Sequence, residues 1–469
     1  MIERLPSGID RLDQILCGGL VADSINLVIG VPGSGKTILA QRYAFTNGTA
    51  ERPALYVSTV SEPLDKIVRF GQTLSFFDVE AVGKRVLYED IGDDLGRGGL
   101  PAVTERIQTL LRERLPGVVV IDSFKALTPY ASDAADYRTF LHSLAGAVSA
   151  ITGSSFWLGE YSGDEIATAP EFAVADSVIS LGTRAVGDRS ERVLEVLKLR
   201  GSDYASGQHG YRLTGEGLDV FPRLADTRDD SIYSLDPERV STGIPLLDEM
   251  LGDGYWPGST TLCAGPSGIG KTLMGLHFIT SGAAQDEPGV IASLQENPSQ
   301  LQRVAHSFSW TLDGVVEVMY RSPVDIQIDE WIYELLETVE RTGARRVLID
   351  SLADLQFASG DHTRFREFMY SLTQRFSRAG VSVFMTSELA DLFTATRLSD
   401  QGVSHLSDNV LLLQYLRDGA SVRRAITVLK TRATKNDTQV REFTITTGGI
   451  TLGDTIDSRP STGGAEIEN

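Results

Sequence analysis

Short apolar runs alternate along this 469-residue chain with longer amphipathic stretches. Segments 24–29, 118–121, 259–264 and 346–349 read as buried strands. Segments 38–44 and 273–279 read as helices that follow two of them. Each half then closes with shorter strands, at 192–198, 210–213 and 218–221 and again at 424–430, 441–445 and 449–452. Strands alternating with helices at crossover spacing predict an α/β fold, a mostly parallel sheet with helices on both faces. In such a fold ligands sit beyond the carboxyl ends of the strands. The charged stretch 222–230 reads as a linker between domains 1–226 and 231–457. Residues 458–469 are rich in Ser, Gly and Pro and are expected to be a disordered tail.

The two halves repeat one motif. Gly30-Val-Pro-Gly-Ser-Gly-Lys36-Thr37 and Gly265-Pro-Ser-Gly-Ile-Gly-Lys271-Thr272 are both G-x-x-x-x-G-K-T, and 271 − 36 = 235 residues separate them. Glycines let the backbone wrap a polyphosphate with its amides pointing inward, and the following helix adds its positive N-terminal end. Lys36 and Lys271 are candidates for the β- and γ-phosphates, and Thr37 and Thr272 for Mg²⁺. Gly33, Ser34, Gly35, Lys36, Thr37 and Ile38 are therefore candidate nucleotide-binding residues in the first half. Gly268, Ile269, Gly270, Lys271, Thr272 and Leu273 are their counterparts. The offset extends upstream: Ser7-Gly8-Ile9 and Asp13 match Thr242-Gly243-Ile244 and Asp248, which points to a duplication. Strands 118–121 and 346–349 both run into an Asp-Ser pair. Asp122 and Asp350 are candidates for the outer shell of the Mg²⁺.

Composition limits the alternatives. The net charge of −20 makes the surface a poor generic platform for nucleic acid. Two cysteines, Cys17 and Cys263, form no disulfide framework and fit a reducing compartment. No 18-residue apolar run is present, so no membrane span and a cytoplasmic location are expected.

Both closing regions carry Leu-Lys-x-Arg, as Lys198 with Arg200 and Lys430 with Arg432. In an extended strand, residues two apart share a face, so each pair forms a cationic fork. Such forks suit the charge on a γ-phosphate in a neighbouring subunit. With residues 5–13, the two phosphate loops, the Asp-Ser pairs and Lys198-Leu-Arg-Gly-Ser202, nearly all of both halves resembles the KaiC-type proteins of the RecA/DnaB-like ATPase superfamily. The resemblance implies tandem RecA-like domains, a homo-hexameric double ring with ATP between subunits, the forks acting in trans, and nucleotide contact at Ser202.

The chain departs from the family at the water-activating Glu-Glu pair. The second half reads Gln295-Glu296-Asn297-Pro298 and the first Thr59-Val60-Ser61-Glu62-Pro63. Glutamine cannot take a proton as a carboxylate does, so Glu62 and Glu296 are the candidate water-orienting acids and hydrolysis is expected to be slow. At the family's Ser-Thr phosphosite Ser404 remains but His405 replaces the threonine. Autophosphorylation at Ser404 is therefore a secondary expectation. The leading expectation is a nucleotide-dependent signalling or regulatory hexamer with a protein partner, using ATP and Mg²⁺. The alternatives are a DNA recombination or remodelling motor and a non-hydrolysing nucleotide-gated scaffold.

Overall fold

The structure, a computed structural model, describes residues 2–59, 63–151, 153–224, 238–324, 326–389, 405–418, 421–432 and 434–456. The chain divides into two compact units, Met1–Arg223 and Leu224–Asn469.

In the first unit nine strands form one sheet, ordered Gly217–Phe221, Gln208–Thr214, Arg189–Leu199, Ser177–Val186, Ile25–Gly30, Ser154–Gly159, Val118–Asp122, Ala54–Ser58 and Val86–Asp90. Neighbours from Ser177–Val186 to Val86–Asp90 run parallel; the closing strands run antiparallel. The second unit repeats this order, from Val316–Tyr320 through Gly289–Ser293, Arg346–Asp350, Ser382–Glu388 and Thr260–Gly265 to Asn409–Asp418, Ser421–Lys430, Arg441–Thr446 and Gly449–Thr455. The α/β expectation therefore holds in both halves.

The parallel strands read as unbroken apolar runs because both their faces are covered. In the first unit the helix Lys36–Asn47 buries Leu39, Ala40 and Tyr43 on one face of the sheet. Helices Gly92–Arg114 and Ala134–Ser149 bury Ile107, Leu110, Phe140 and Leu144 on the other. In the second unit Lys271–Ala283 covers one face, and Ile328–Thr342 with His362–Arg378 the other. The upstream repeat is a local clasp: Asp13 accepts the Ser7 amide at 2.9 Å, and Asp248 accepts the Thr242 amide at 2.7 Å.

In the second unit His277 is buried, 7% exposed, at the start of the closing hairpin's contact with the phosphate-loop helix. The Nε2 of His277 accepts the Ile450 amide at 2.7 Å, and the ring also bonds the Gly243 carbonyl. Gly449, at φ 101°, makes the turn that brings this amide in; a Cβ there would lie 2.3 Å from His277 Nε2. Both ring nitrogens are therefore committed in the neutral form. Burial pulls the ring pKa from 6.5 down to about 4. A folded value below the unfolded one contributes stability that is fully present above pH 6.5 and is lost as pH falls toward 4. A gap of about 2.5 units at 1.36 kcal/mol per unit amounts to about 3 kcal/mol. Denaturant titrations of the second unit between pH 7 and 4 should show this loss, and His277→Gln should flatten it. An unchanged slope in the variant would refute the assignment.

Candidate functional site

Each phosphate loop lies between the central strand of its sheet and the helix behind it. Gly33 and Gly35 adopt φ of 71° and 94°, and Gly268 and Gly270 φ of 72° and 120°. These left-handed values are open to glycine and turn consecutive amides toward one point. Lys36 Nζ donates to the Gly30 and Val31 carbonyls, both at 3.0 Å, and lies 3.4 Å from Glu160 Oε1. Lys271 Nζ donates to the Pro266 carbonyl at 2.8 Å. Burial lowers the Lys271 pKa, and the nearby Glu388 opposes that shift. Glu160 and Glu388 stand at equivalent positions, just past one strand and at the last residue of the other; sequence reasoning passed over both because no local motif marks them. Beside the first loop a cavity of about 500 Å³ is lined by Gly35, Lys36, Thr37, Phe70, Leu74 and Leu213, room for a nucleotide.

The sheet brings each aspartate under its loop. Thr37 Oγ1 donates to Asp122 Oδ2 at 2.8 Å, and Thr272 Oγ1 to Asp350 Oδ2 at 2.7 Å. A hydroxyl and a carboxylate, both hard oxygen ligands, fit Mg²⁺ beside a polyphosphate.

Each aspartate also accepts a second hydroxyl, from a different strand in each half. Asp122 takes it from Tyr56 at 2.5 Å, and Asp350 from Thr386. By register Ile291 stands where Tyr56 does, and Leu158 where Thr386 does. The two sites thus exchange which neighbouring strand braces the aspartate. No sequence signal marked Tyr56 or Thr386, since each reads as one more residue of a buried strand.

Glu296 is half-buried, and its Oε2 is buried with no hydrogen-bond partner among the described residues. Burial first, then the charge on Asp350, raises its pKa. A carboxylate beside Asp350 with an oxygen that has no partner among the described residues has the chemistry to accept a proton from water. Gln295 is instead exposed and turned away, its Nε2 donating to Asp354 at 2.8 Å. Glu62 lies outside the described residues. Ser58 pairs with Asp122 as Ser293 pairs with Asp350. Counting five residues on from each serine reaches Pro63 and Pro298, so Ser61 takes the sequence position of Glu296 and Glu62 that of Asn297.

The forks lie at the other end of the sheet. Lys198 Nζ donates to the Phe172 carbonyl at 2.9 Å, and Arg200 to Asp176 and to the Ala173 carbonyl, both at 3.3 Å. Lys430 Nζ donates to the Ser407 carbonyl at 2.7 Å, and Arg432 to Asp408 at 3.4 Å and the His405 carbonyl at 3.0 Å. Burial lowers both lysine pKa values, and the neighbouring arginine lowers each further. Ser202 accepts from Arg4 at 2.7 Å in the same region. Asp176 bonds the amide of Ile25, where the phosphate-loop strand begins, whereas Gly30, where it ends, pairs with Leu181. Five strand residues at ~3.3 Å each put about 17 Å between a fork and its own phosphate loop. Ser404, with residues 390–403, lies outside the described residues.

The family model described as "ATPase: KaiC" matches residues 5–225 and again 240–455. The chain is 28% identical to the circadian clock oscillator protein KaiC of Picosynechococcus sp., over 97% of this chain and 90% of that protein. It is 27% identical to the circadian clock oscillator protein KaiC 1 of Synechocystis sp., over 97% and 90% of the two chains. It is 28% identical to the circadian clock protein KaiC3 of Synechocystis sp., over 96% and 92%. No helix of the described residues is long and apolar enough to cross a membrane.

Proposed function

The chain belongs to the KaiC family of ATPases, carrying its ATPase domain twice, and from that premise we propose that it binds two ATP·Mg²⁺ and hydrolyses them slowly as a homo-hexameric double ring. Nucleotide state would set the shape of the ring, and a protein partner would read it.

In this reading the loop amides with Lys36 and Lys271 hold the phosphates. Thr37 and Thr272 hold Mg²⁺, with Asp122 and Asp350 in its outer shell. Bound Mg²⁺ supplies charge neutralisation and orientation of the phosphates. Glu296 orients and deprotonates water in the second domain. Glu62 is the acid available to the first. Lys198, Arg200, Lys430 and Arg432 steady the charge on a neighbour's γ-phosphate, and Ser202 contacts that nucleotide. The observation that carries the trans assignment is the fork position at the amino end of the strand, opposite its own loop. Slow turnover rests on Gln295, turned to Asp354, and on Ser61 at the sequence position of Glu296.

Autophosphorylation at Ser404 stays secondary in this proposal, because His405 stands beside it and Gln295 replaces a carboxylate. A timing role, part of the names of the relatives, is not carried over for the same reason. The purified full-length protein should bind two nucleotides per chain, assemble as six chains, and release phosphate in a Mg²⁺-dependent single-turnover assay. Binding without release would favour the nucleotide-gated scaffold. Strong stimulation by single-stranded DNA would favour the motor.

A further inference from the structure

Glu171 is 1% exposed and has no basic partner among the described contacts. Its Oε1 accepts the Tyr161 hydroxyl at 2.6 Å and the Tyr137 hydroxyl at 3.3 Å, while Oε2 is buried without a partner among the described residues. Burying a carboxylate this way is costly, and packed apolar side chains would be more stable. The position is informative. Glu171 opens the one-turn helix Glu171–Val174, and the next two carbonyls, of Phe172 and Ala173, receive Lys198 and Arg200. Tyr161 is held in turn: Lys125 Nζ lies 4.3 Å over its ring and is paired with Glu165. Lys125 itself follows closely on Asp122 of the chain's own Mg²⁺-binding strand.

We propose that Glu171, fixed by Tyr137 and Tyr161, is a positioning residue that sets the first-domain fork for the neighbouring subunit's nucleotide. This rests on the trans reading of the fork. Among the described residues the two tyrosines of this device have no hydroxyl-bearing counterpart in the second domain. Phe365 follows its helix-capping aspartate as Tyr137 follows Asp133, and by strand register Leu389 stands at the place of Tyr161. Neither side chain has a hydroxyl to donate.

The test is complementation in mixed full-length rings, all carrying Glu296→Gln to silence the second domain. One chain carries Lys36→Ala and keeps its fork; the other carries Lys198→Ala with Arg200→Ala and keeps its pocket. Mixing them should restore first-domain ATP turnover where an intact fork meets an intact pocket. Adding Glu171→Ala to the fork-keeping chain should lower the restored turnover at least tenfold, since small misplacements of a catalytic group cost up to about 100-fold. On the pocket-keeping chain the same change should cost less than twofold. Glu171→Gln, whose amide oxygen still accepts from both tyrosines, should preserve turnover. Tyr137→Phe with Tyr161→Phe should reproduce the loss without removing the carboxylate. Equal losses in both placements, or no loss in either, would overturn the proposal. Failure of the two parent chains to complement at all would overturn the trans reading and this inference with it, a distinguishable result.

Discussion

Glu296→Gln should reduce second-domain ATP turnover by roughly 10²- to 10⁴-fold, the usual contribution of a positioned general base, while nucleotide affinity changes by a few-fold at most. Among the described residues its side chain makes no hydrogen bond to the phosphate loop or to a helix cap, so its loss should leave the loop as it is. Its pH signature is specific. Burial and Asp350 raise the Glu296 pKa, so turnover is full above that raised value and falls as pH drops through it. The acid limb should therefore lie above the ordinary glutamate range of about 4.3. Mg²⁺ bound beside Asp350 would weaken the second cause and leave burial as the main one. Steady-state rates against pH, in a Lys36→Ala background so that the second domain alone reports, would show the limb and its disappearance in the variant. Wild-type turnover in Glu296→Gln would remove Glu296 from the mechanism.

Lys36→Ala and Lys271→Ala should each lose nucleotide from one domain, with affinity down on the order of 100-fold, because each removes charge-assisted hydrogen bonds to phosphate worth ~1.5–3 kcal/mol apiece. Their effects on turnover should differ. The second site retains a carboxylate at the position where the first has Ser61. Total hydrolysis should therefore fall much further in Lys271→Ala than in Lys36→Ala. Nucleotide stoichiometry by equilibrium binding separates loss of site from loss of rate. Equal residual turnover in the two variants would refute a division of labour between the domains.

Much of this molecule was legible before any coordinates. The α/β architecture followed from apolar strands and phosphate-loop helices, and the strands and closing elements all formed. Other features could not be read from the chain. Tyr56 and Thr386 brace equivalent aspartates from different strands, and each looks like ordinary buried sequence. Gln295 keeps the spacing of a catalytic acid, yet its side chain turns to Asp354. Glu171 carried no motif at all.

What the sequence determined by itself was the pair of phosphate loops and their threonines. A glycine pattern specifies left-handed backbone locally, and the amides it gathers belong to one continuous stretch. Tertiary structure decided which hydroxyl meets each aspartate, that Glu296 comes near Asp350, and at which end of the sheet each fork lies. Those relations depend on the register of parallel strands far apart in sequence, and register is set by burial on both faces of the sheet.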